Sequence, residues 1–298
     1  MQLSGLHLLL TYSCTLECDH CFVWGSPWQS GTMTLASVRR ILQQARDVGT
    51  VDWIYFEGGE PFLHYRVLRR GVELAAELGF HVGIVSNGYW ATDVADAVEW
   101  LSPLAGLVQD LSISDDDYHG DGAQREHARN AIAAAEELGI PSAIIAIAPP
   151  EATSAARVCG QIPSGESAVR FRGRAAERLA HRADARPWTS FTECPCEDLR
   201  EPGRVHVDPY GNVHVCQGIC LGNMFRDSLA AICAGYDPDA HPIVGPLLHG
   251  GPAELVRTHD LAHAEAYADA CQLCCTARHA LRSRYTQILV PDQMYGVP

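Results

Sequence analysis

Cys14-Thr15-Leu16-Glu17-Cys18-Asp19-His20-Cys21 sets three thiols within eight residues. The apolar run Leu6 to Leu10 leads into them and reads as a fully buried strand. The thiols therefore fall on the loop leaving a strand's C-terminal end, where barrel folds place their chemistry. Thiolates are soft ligands that select zinc, copper(I) or iron–sulfur clusters. Three on one loop cannot complete a four-iron cluster, which takes four cysteines, so one iron would keep an open coordination site. The rival reading is structural zinc, with His20 or a distant residue as the fourth ligand.

The chain has 298 residues, 47% of them hydrophobic, enough for one large domain or a large one with a small one. No stretch approaches the ~18–20 apolar residues of a membrane span. No signal peptide is evident at the N-terminus, so the expected location is cytoplasmic. In that compartment 12 cysteines point to metal or redox work rather than disulfides. A formal net charge of −14 argues against nucleic acid and anionic membrane surfaces as partners. The sequence contains no lysine. That excludes Schiff-base chemistry, pyridoxal phosphate included, and a P-loop.

Downstream of the cysteine loop, strands and helices alternate. Amphipathic spacing predicts helices over 34–48, 63–78, 92–100 and 122–138. Thr34 is the expected N-cap of the first, and Gly49, Gly79 and Gly139 are expected stops. Strands are predicted over 51–56, 81–85, 107–113, 142–147 and 167–171. This pattern implies a parallel sheet with right-handed crossovers. On spacing alone, a partial barrel and a doubly wound open sheet fit equally well.

The second strand ends in Glu57-Gly58-Gly59-Glu60-Pro61. Glycines there permit unusual backbone angles and close approach of a ligand to the main chain. An ordinary strand–helix turn would use the same residues. The order Cys-x3-Cys-x2-Cys on the first strand's loop, then Gly-Gly-Glu-Pro on the second, resembles the signature of radical S-adenosylmethionine (SAM) enzymes. The resemblance covers roughly residues 5 to 175 and implies a partial (β/α)6 TIM-like barrel. It implies that Cys14, Cys18 and Cys21 hold a [4Fe-4S] cluster whose fourth iron is chelated by SAM. An electron from the cluster would cleave SAM to a 5′-deoxyadenosyl radical that abstracts substrate hydrogen. Gly58, Gly59 and Glu60 would bind the SAM amino group through backbone groups. Ser86, Asn87 and Ser114, at the next strand ends, would complete the SAM site, with Arg170 and Arg172 as candidates to pair the SAM carboxylate. His119 and Asp115 are the candidate acid–base residues.

From Arg186 onward the alternation stops and cysteines return. Alternating runs flank Pro209-Tyr210-Gly211-Asn212, a predicted β-hairpin ending in Cys216. Cys271-Gln272-Leu273-Cys274 is a Cys-x2-Cys knuckle, with a helix predicted before it over 253–268 and a loop over 237–252. Four such ligands could hold zinc or a fully ligated Fe–S cluster. The segment resembles the SPASM/twitch-type auxiliary-cluster extension of radical SAM enzymes. It implies a second [4Fe-4S] cluster on Cys216, Cys271, Cys274 and either Cys194 or Cys196. The expected division is a barrel over 1–185 and a small auxiliary-cluster domain, hairpin plus helix, over 186–298. Cys220 and Cys275 are expected to be spare thiols, Cys159 and Cys233 core thiols, and His259 and His263 a solvated helix face.

The resemblance implies an enzyme that modifies a peptide. A separate peptide-recognition protein and an electron donor such as flavodoxin or ferredoxin are the implied partners. Oxidation of a small molecule, such as an aminocyclitol, is the first alternative, and a non-catalytic Fe–S scaffold or sensor the second.

Overall fold

The structure is a computed structural model that describes residues 1–120, 122–152 and 155–297. Its frame is a run of parallel strands and crossover helices: β1 (Leu3–Thr11), α1 (Leu35–Val48), β2 (Trp53–Gly58), α2 (Tyr65–Glu77), β3 (His81–Ser86), α3 (Val94–Leu101), β4 (Asp110–Ser114), α4 (Gly122–Glu137), β5 (Ser142–Ile147) and β6 (Gly165–Ser167). Each of these strands pairs in parallel with the next. The arrangement is the partial barrel implied by the sequence motifs.

A short helix, α5 (Arg174–Arg178), follows β6. The rest of the chain comprises β7 (Arg186–Pro187), β8 (Gly203–Val207), β9 (Asn212–Cys216), β10 (Ile219–Asn223), α6 (Leu229–Gly235), α7 (Val244–His259), β11 (Ala266–Tyr267) and α8 (Ala270–Leu281). The predicted hairpin is β8–β9, and it does not stand apart from the barrel. β8 pairs in parallel with β1, giving one nine-stranded sheet in the order β10-β9-β8-β1-β2-β3-β4-β5-β6. β7 and β11 form a separate two-stranded patch.

Helix boundaries follow local chemistry. The Thr34 side chain accepts the Ser37 N–H, and Gly49 closes α1 with φ +75°. Val38, Ile41, Leu42 and Ala45 form its buried stripe. The Asp93 carboxylate accepts the Asp96 N–H, which starts α3 two residues later than the spacing suggests. Pro61–His64 forms a 3-10 turn, so α2 begins only at Tyr65.

Three predicted elements are displaced. The fourth strand starts at Asp110, because Leu107 and Val108 turn back to hydrogen-bond the Leu104 carbonyl. β6 ends at Ser167 rather than starting there, because the Ala168 N–H leaves the sheet for the Ala156 carbonyl. The stretch 244–252, expected as loop, is the first half of α7, and 260–268, expected as helix, is not helical. The neutral His241 ring accepts the N–H groups of Ile243 and Val244 and starts that helix. Non-helical angles at Gly250 and Gly251 divide it into two helical stretches, the second close to the predicted start at 253, and Asp260 closes it in the left-handed region. His259 and His263 accordingly share no helix face: His259 Nε2 lies 3.0 Å from the Pro242 carbonyl oxygen, and His263 packs on Trp188.

Two apolar cores meet at β1. Leu6, Leu8 and Leu10 join the core beneath the barrel helices, whereas Leu9 and Tyr12 join a second core with Val215, Leu255 and Leu273. A strand buried on both faces needs the uninterrupted apolar run seen in the sequence. No helix among the described residues is long and apolar enough to cross a membrane.

At the C-terminal ends of β1 and β2 the backbones come into contact. A Cβ on Gly59 would lie 2.0 Å from the Ser13 carbonyl oxygen, and one on Gly58 2.4 Å from that of Thr11. Gly58 also has φ +136°. These glycines are therefore required by packing before any ligand is considered. We predict that Gly59→Ala costs about 2–3 kcal/mol, read as a lowered denaturant midpoint, while Gly49→Asn at the open end of α1 is nearly neutral.

Candidate active site

The cysteine loop runs from Ser13 to Gly25 over the ends of β1 and β2. Its thiols sit among N–H donors: Leu16 N–H reaches Cys14 Sγ at 3.5 Å, Gly25 N–H reaches Cys21 Sγ at 3.2 Å, and Asn87 Nδ2 lies 3.6 Å from Cys14 Sγ. Burial pushes the Cys14 thiol up to about 12 and raises Cys18 as well; the N–H donors pull Cys14 the other way. The thiols must shed their protons to a soft metal on binding, and the N–H groups stabilise the resulting sulfur charge. Among the described residues, the donor groups converging within 4.8 Å are His7/Glu57/His206 and His20/Asp116/His119. Neither includes a cysteine. Three thiols with N–H donors around them are a donor set that fits a soft-metal centre.

One arginine missed as a site residue, Arg174, organises this loop, and Arg172 reaches the second thiol group. Arg174, 2% exposed, donates to the carbonyls of Cys18 at 2.7 Å and Gly25 at 2.9 Å. Arg172 pairs with Glu197 at 3.0 Å and lies 3.8 Å from Cys216 Sγ. The signal was present as the alternation Arg170-Phe171-Arg172-Gly173-Arg174, but nothing local shows that its last member reaches back across 156 residues.

A cavity opens against the loop. It is lined by Cys14, Cys18, Cys21, Gly58, Gly59, Ser86, Asn87, Ser114, His119 and Arg170, which the sequence had selected. Glu60 and Asp115 do not line it. The Glu60 side chain is fully buried and accepts from Phe62 N–H, Ser86 Oγ and Asn87 N–H at 2.8–3.0 Å. Burial raises its carboxyl to about 7 against these donors. Glu60 is thus a brace from β2 to β3, its side chain fully engaged there. Asn87 Nδ2 carries the brace on to Thr15 Oγ1 at 3.0 Å.

The carboxylate facing the cavity is Asp116 rather than Asp115. It accepts from His119 Nδ1 at 2.7 Å, from Tyr118 N–H and from Ile147 N–H, with His20 Nε2 3.3 Å away. Burial raises the Asp116 carboxyl, but the two histidines outweigh it and hold it well below the carboxylate range. Asp115 contributes its backbone N–H to the Ile145 carbonyl. Arg170 is also engaged: its guanidinium donates to the Val158 and Gly160 carbonyls and lies 3.5 Å from Glu197.

The same cavity has a third polar group. Glu57 lies between His7 and His206. Burial raises its carboxyl, but the two rings more than offset this and hold it well below its usual range. Burial lowers His206 to about 4.

A second, smaller cavity gathers Cys194, Cys196, Cys216, Cys271 and Cys274, walled by Arg172 and Arg278. Cys271 and Cys274 lie in the first turns of α8, whose N-terminus favours negative charge. Cys271 Sγ is 3.5 Å from Cys196 Sγ. Of the remaining thiols, Cys220, Cys233 and Cys275 are buried; Cys159, expected in the core, is exposed in the irregular segment before β6.

Arg174→Ala leaves the Cys18 and Gly25 carbonyls without their donor, at about 1–3 kcal/mol for each buried group. We predict that it at least halves the iron retained by the loop after anaerobic reconstitution. Arg174→Lys, lacking the two-pronged donor, should recover only part of it.

Residues 8–154 match the model of the Radical SAM superfamily. YydG of Bacillus subtilis (strain 168), provisionally named a peptide biosynthesis protein, is 31% identical over 107 residues, 36% of this chain and 34% of its own. The tungsten-containing aldehyde ferredoxin oxidoreductase cofactor-modifying protein of Pyrococcus furiosus is 36% identical over 107 residues, 36% of this chain and 28% of its own. The matched segments thus span about a third of these relatives' lengths. Among solved structures, anSMEcpe with bound AdoMet has a TM-score of 0.54 at 12% identity, covering 99% of this chain and 97% of that one. BtrN in complex with AdoMet and 2-DOIA has a TM-score of 0.51 at 16% identity, covering 78% and 82%. Both share the fold of this chain. With the cysteine loop, the glycine ledge and the partial barrel, these matches show a radical SAM domain over residues 8–154, in a chain whose C-terminal region shares the fold of anSMEcpe.

Proposed function

We propose that the chain is a radical SAM enzyme that modifies a peptide. Cys14, Cys18 and Cys21 hold its [4Fe-4S] cluster, and Gly58, Gly59 and the backbone of Glu60 bind SAM. A second [4Fe-4S] cluster sits among Cys216, Cys271, Cys274 and one of Cys194 and Cys196. The observation that carries the reading is a shared wall. The cysteine loop and glycine ledge open on one cavity, and Arg172 lines both that cavity and the second thiol cluster. Held by Cys14, Cys18 and Cys21, the cluster would supply the electron for reductive SAM cleavage, and SAM the radical that would abstract substrate hydrogen.

The chain's own residues bind and orient. Asn87 holds the loop beside Cys14, and Ser114 offers a hydroxyl at the cavity wall. Arg170, already engaged by Glu197 and two carbonyls, positions the segment rather than binding the SAM carboxylate. His119 is the acid–base residue. Asp116 fixes its Nδ1–H, so Nε2 is the atom that exchanges a proton with substrate.

A peptide substrate is supported by the fold shared with anSMEcpe over nearly the whole of both chains; that protein has also been solved with a Cp18Cys peptide. The name of YydG points the same way. The setting is cytoplasmic, with flavodoxin or ferredoxin as reductant and a separate protein presenting the peptide. The likeness to BtrN, solved with 2-DOIA, favours a second reading in which a small molecule is oxidised.

Anaerobic protein given SAM and dithionite should release 5′-deoxyadenosine and contain about eight irons per chain. Replacing Cys14, Cys18 and Cys21 by alanine should halve the iron and abolish the nucleoside. Zinc in place of iron, or no 5′-deoxyadenosine from fully loaded protein, sinks the reading. Deuterium exchange into a short peptide encoded beside this gene supports the peptide substrate; turnover of an aminocyclitol alone replaces it with the second reading.

A further inference from the structure

His7 on β1, Glu57 near the end of β2 and His206 on β8 come from three adjacent strands and line the same cavity as the cysteine loop. His7 and His206 are register partners. Glu57 Oε1 lies 3.3 Å from His7 Nδ1 and 3.0 Å from His206 Nε2, and the three donor atoms fall within 4.8 Å of one another. The imidazoles are 4% and 7% exposed. Their planes are set by packing: His7 stacks on Tyr55 at 4.6 Å, and His206 tilts against Phe22.

These atoms lie at ion-pair distance without meeting hydrogen-bond geometry. Among the described residues, neither His7 Nδ1 nor Glu57 Oε1 has a hydrogen-bond partner, although both are buried. Unmade hydrogen bonds are costly in a protein interior, and each calls for an explanation. Asp116, also flanked by two histidines in this cavity, shows the contrast. Its oxygens accept from His119 Nδ1 and two backbone N–H groups, so it is already satisfied. Glu57 Oε1 and the two ring nitrogens instead converge within 4.8 Å of one another.

We propose that His7, Glu57 and His206 form a divalent transition-metal site. Two neutral imidazoles and one carboxylate on one side of an ion leave positions open, an arrangement suited to Fe(II), Mn(II), Co(II) or Zn(II). Because all three residues line the cavity, the open positions face the space where substrate would lie. The class of ligand they would take is an oxygen donor: a carbonyl, carboxylate or hydroxyl of the substrate. The ion is distinct from the thiolate-held clusters, and its binding does not depend on SAM chemistry. The competing role is a metal-free ionic cluster that fastens β8 to β1.

Mn(II) is the probe, because it prefers nitrogen and oxygen donors and competes poorly for thiolates. Untagged protein with its clusters loaded is titrated anaerobically, and free Mn(II) is read by electron paramagnetic resonance. One equivalent should be retained, with spin-echo modulation from two imidazole nitrogens. Glu57→Gln should weaken retention at least tenfold, with iron content checking that the variant folds. Wild-type protein that leaves all Mn(II) free, or holds it without imidazole modulation, overturns the site. So does retention that survives in both Glu57→Gln and His206→Ala. The modulation is read on the wild type, so the test holds even if a variant misfolds.

Discussion

Two backbones in contact at the ends of β1 and β2 set the geometry of this site. The Gly59 N–H reaches the Thr11 carbonyl at 2.7 Å, and the Glu60 N–H reaches that of Ser13 at 2.9 Å. Only residues without a Cβ allow that approach. Once it is made, the Glu60 side chain turns inward and gathers Ser86 and Asn87 from β3. Asn87 in turn reaches back to Thr15 and Cys14. The result is a closed circuit of hydrogen bonds through three strand ends, with the cysteine loop as one segment. Pre-organisation of this kind fixes where a cluster and a cofactor meet before either binds.

The second organising element is the segment 170–174. Arg174 grips the cysteine loop through two carbonyls, and Gly173 adopts φ +58° where a Cβ would lie 2.5 Å from the Cys21 carbonyl oxygen. One residue earlier, Arg172 turns the other way, to Glu197 and Cys216. Five residues thus touch both thiol groups through a short stretch of backbone.

Local features were the legible ones. The apolar run of β1, the caps of α1, the full extent of β5 and the cysteine and glycine motifs are each written within a few adjacent residues. Long-range features were not. Nothing near Glu57 announces two histidines, because one comes from β1 and the other from a strand added much later in the chain. Asp115 and Asp116 are indistinguishable as neighbours in sequence; the backbone turn after β4 aims one at the cavity and leaves the other out of it. Glycine and proline at 250–252 break the helix as they read; the illegible part is the helical stretch before them, whose Gly245 and Pro246 read as loop although Leu247 packs into the same core as Leu255.

The attachment of β8 to β1 bears on how the protein is made. Ser4 donates to the Gly203 carbonyl across a separation of 199 residues. The first barrel strand to leave the ribosome therefore keeps an unsatisfied edge through most of translation, until its neighbour emerges. Such an edge is a template for pairing with other chains. Until β8 is made, that edge stays open to any other strand that meets it.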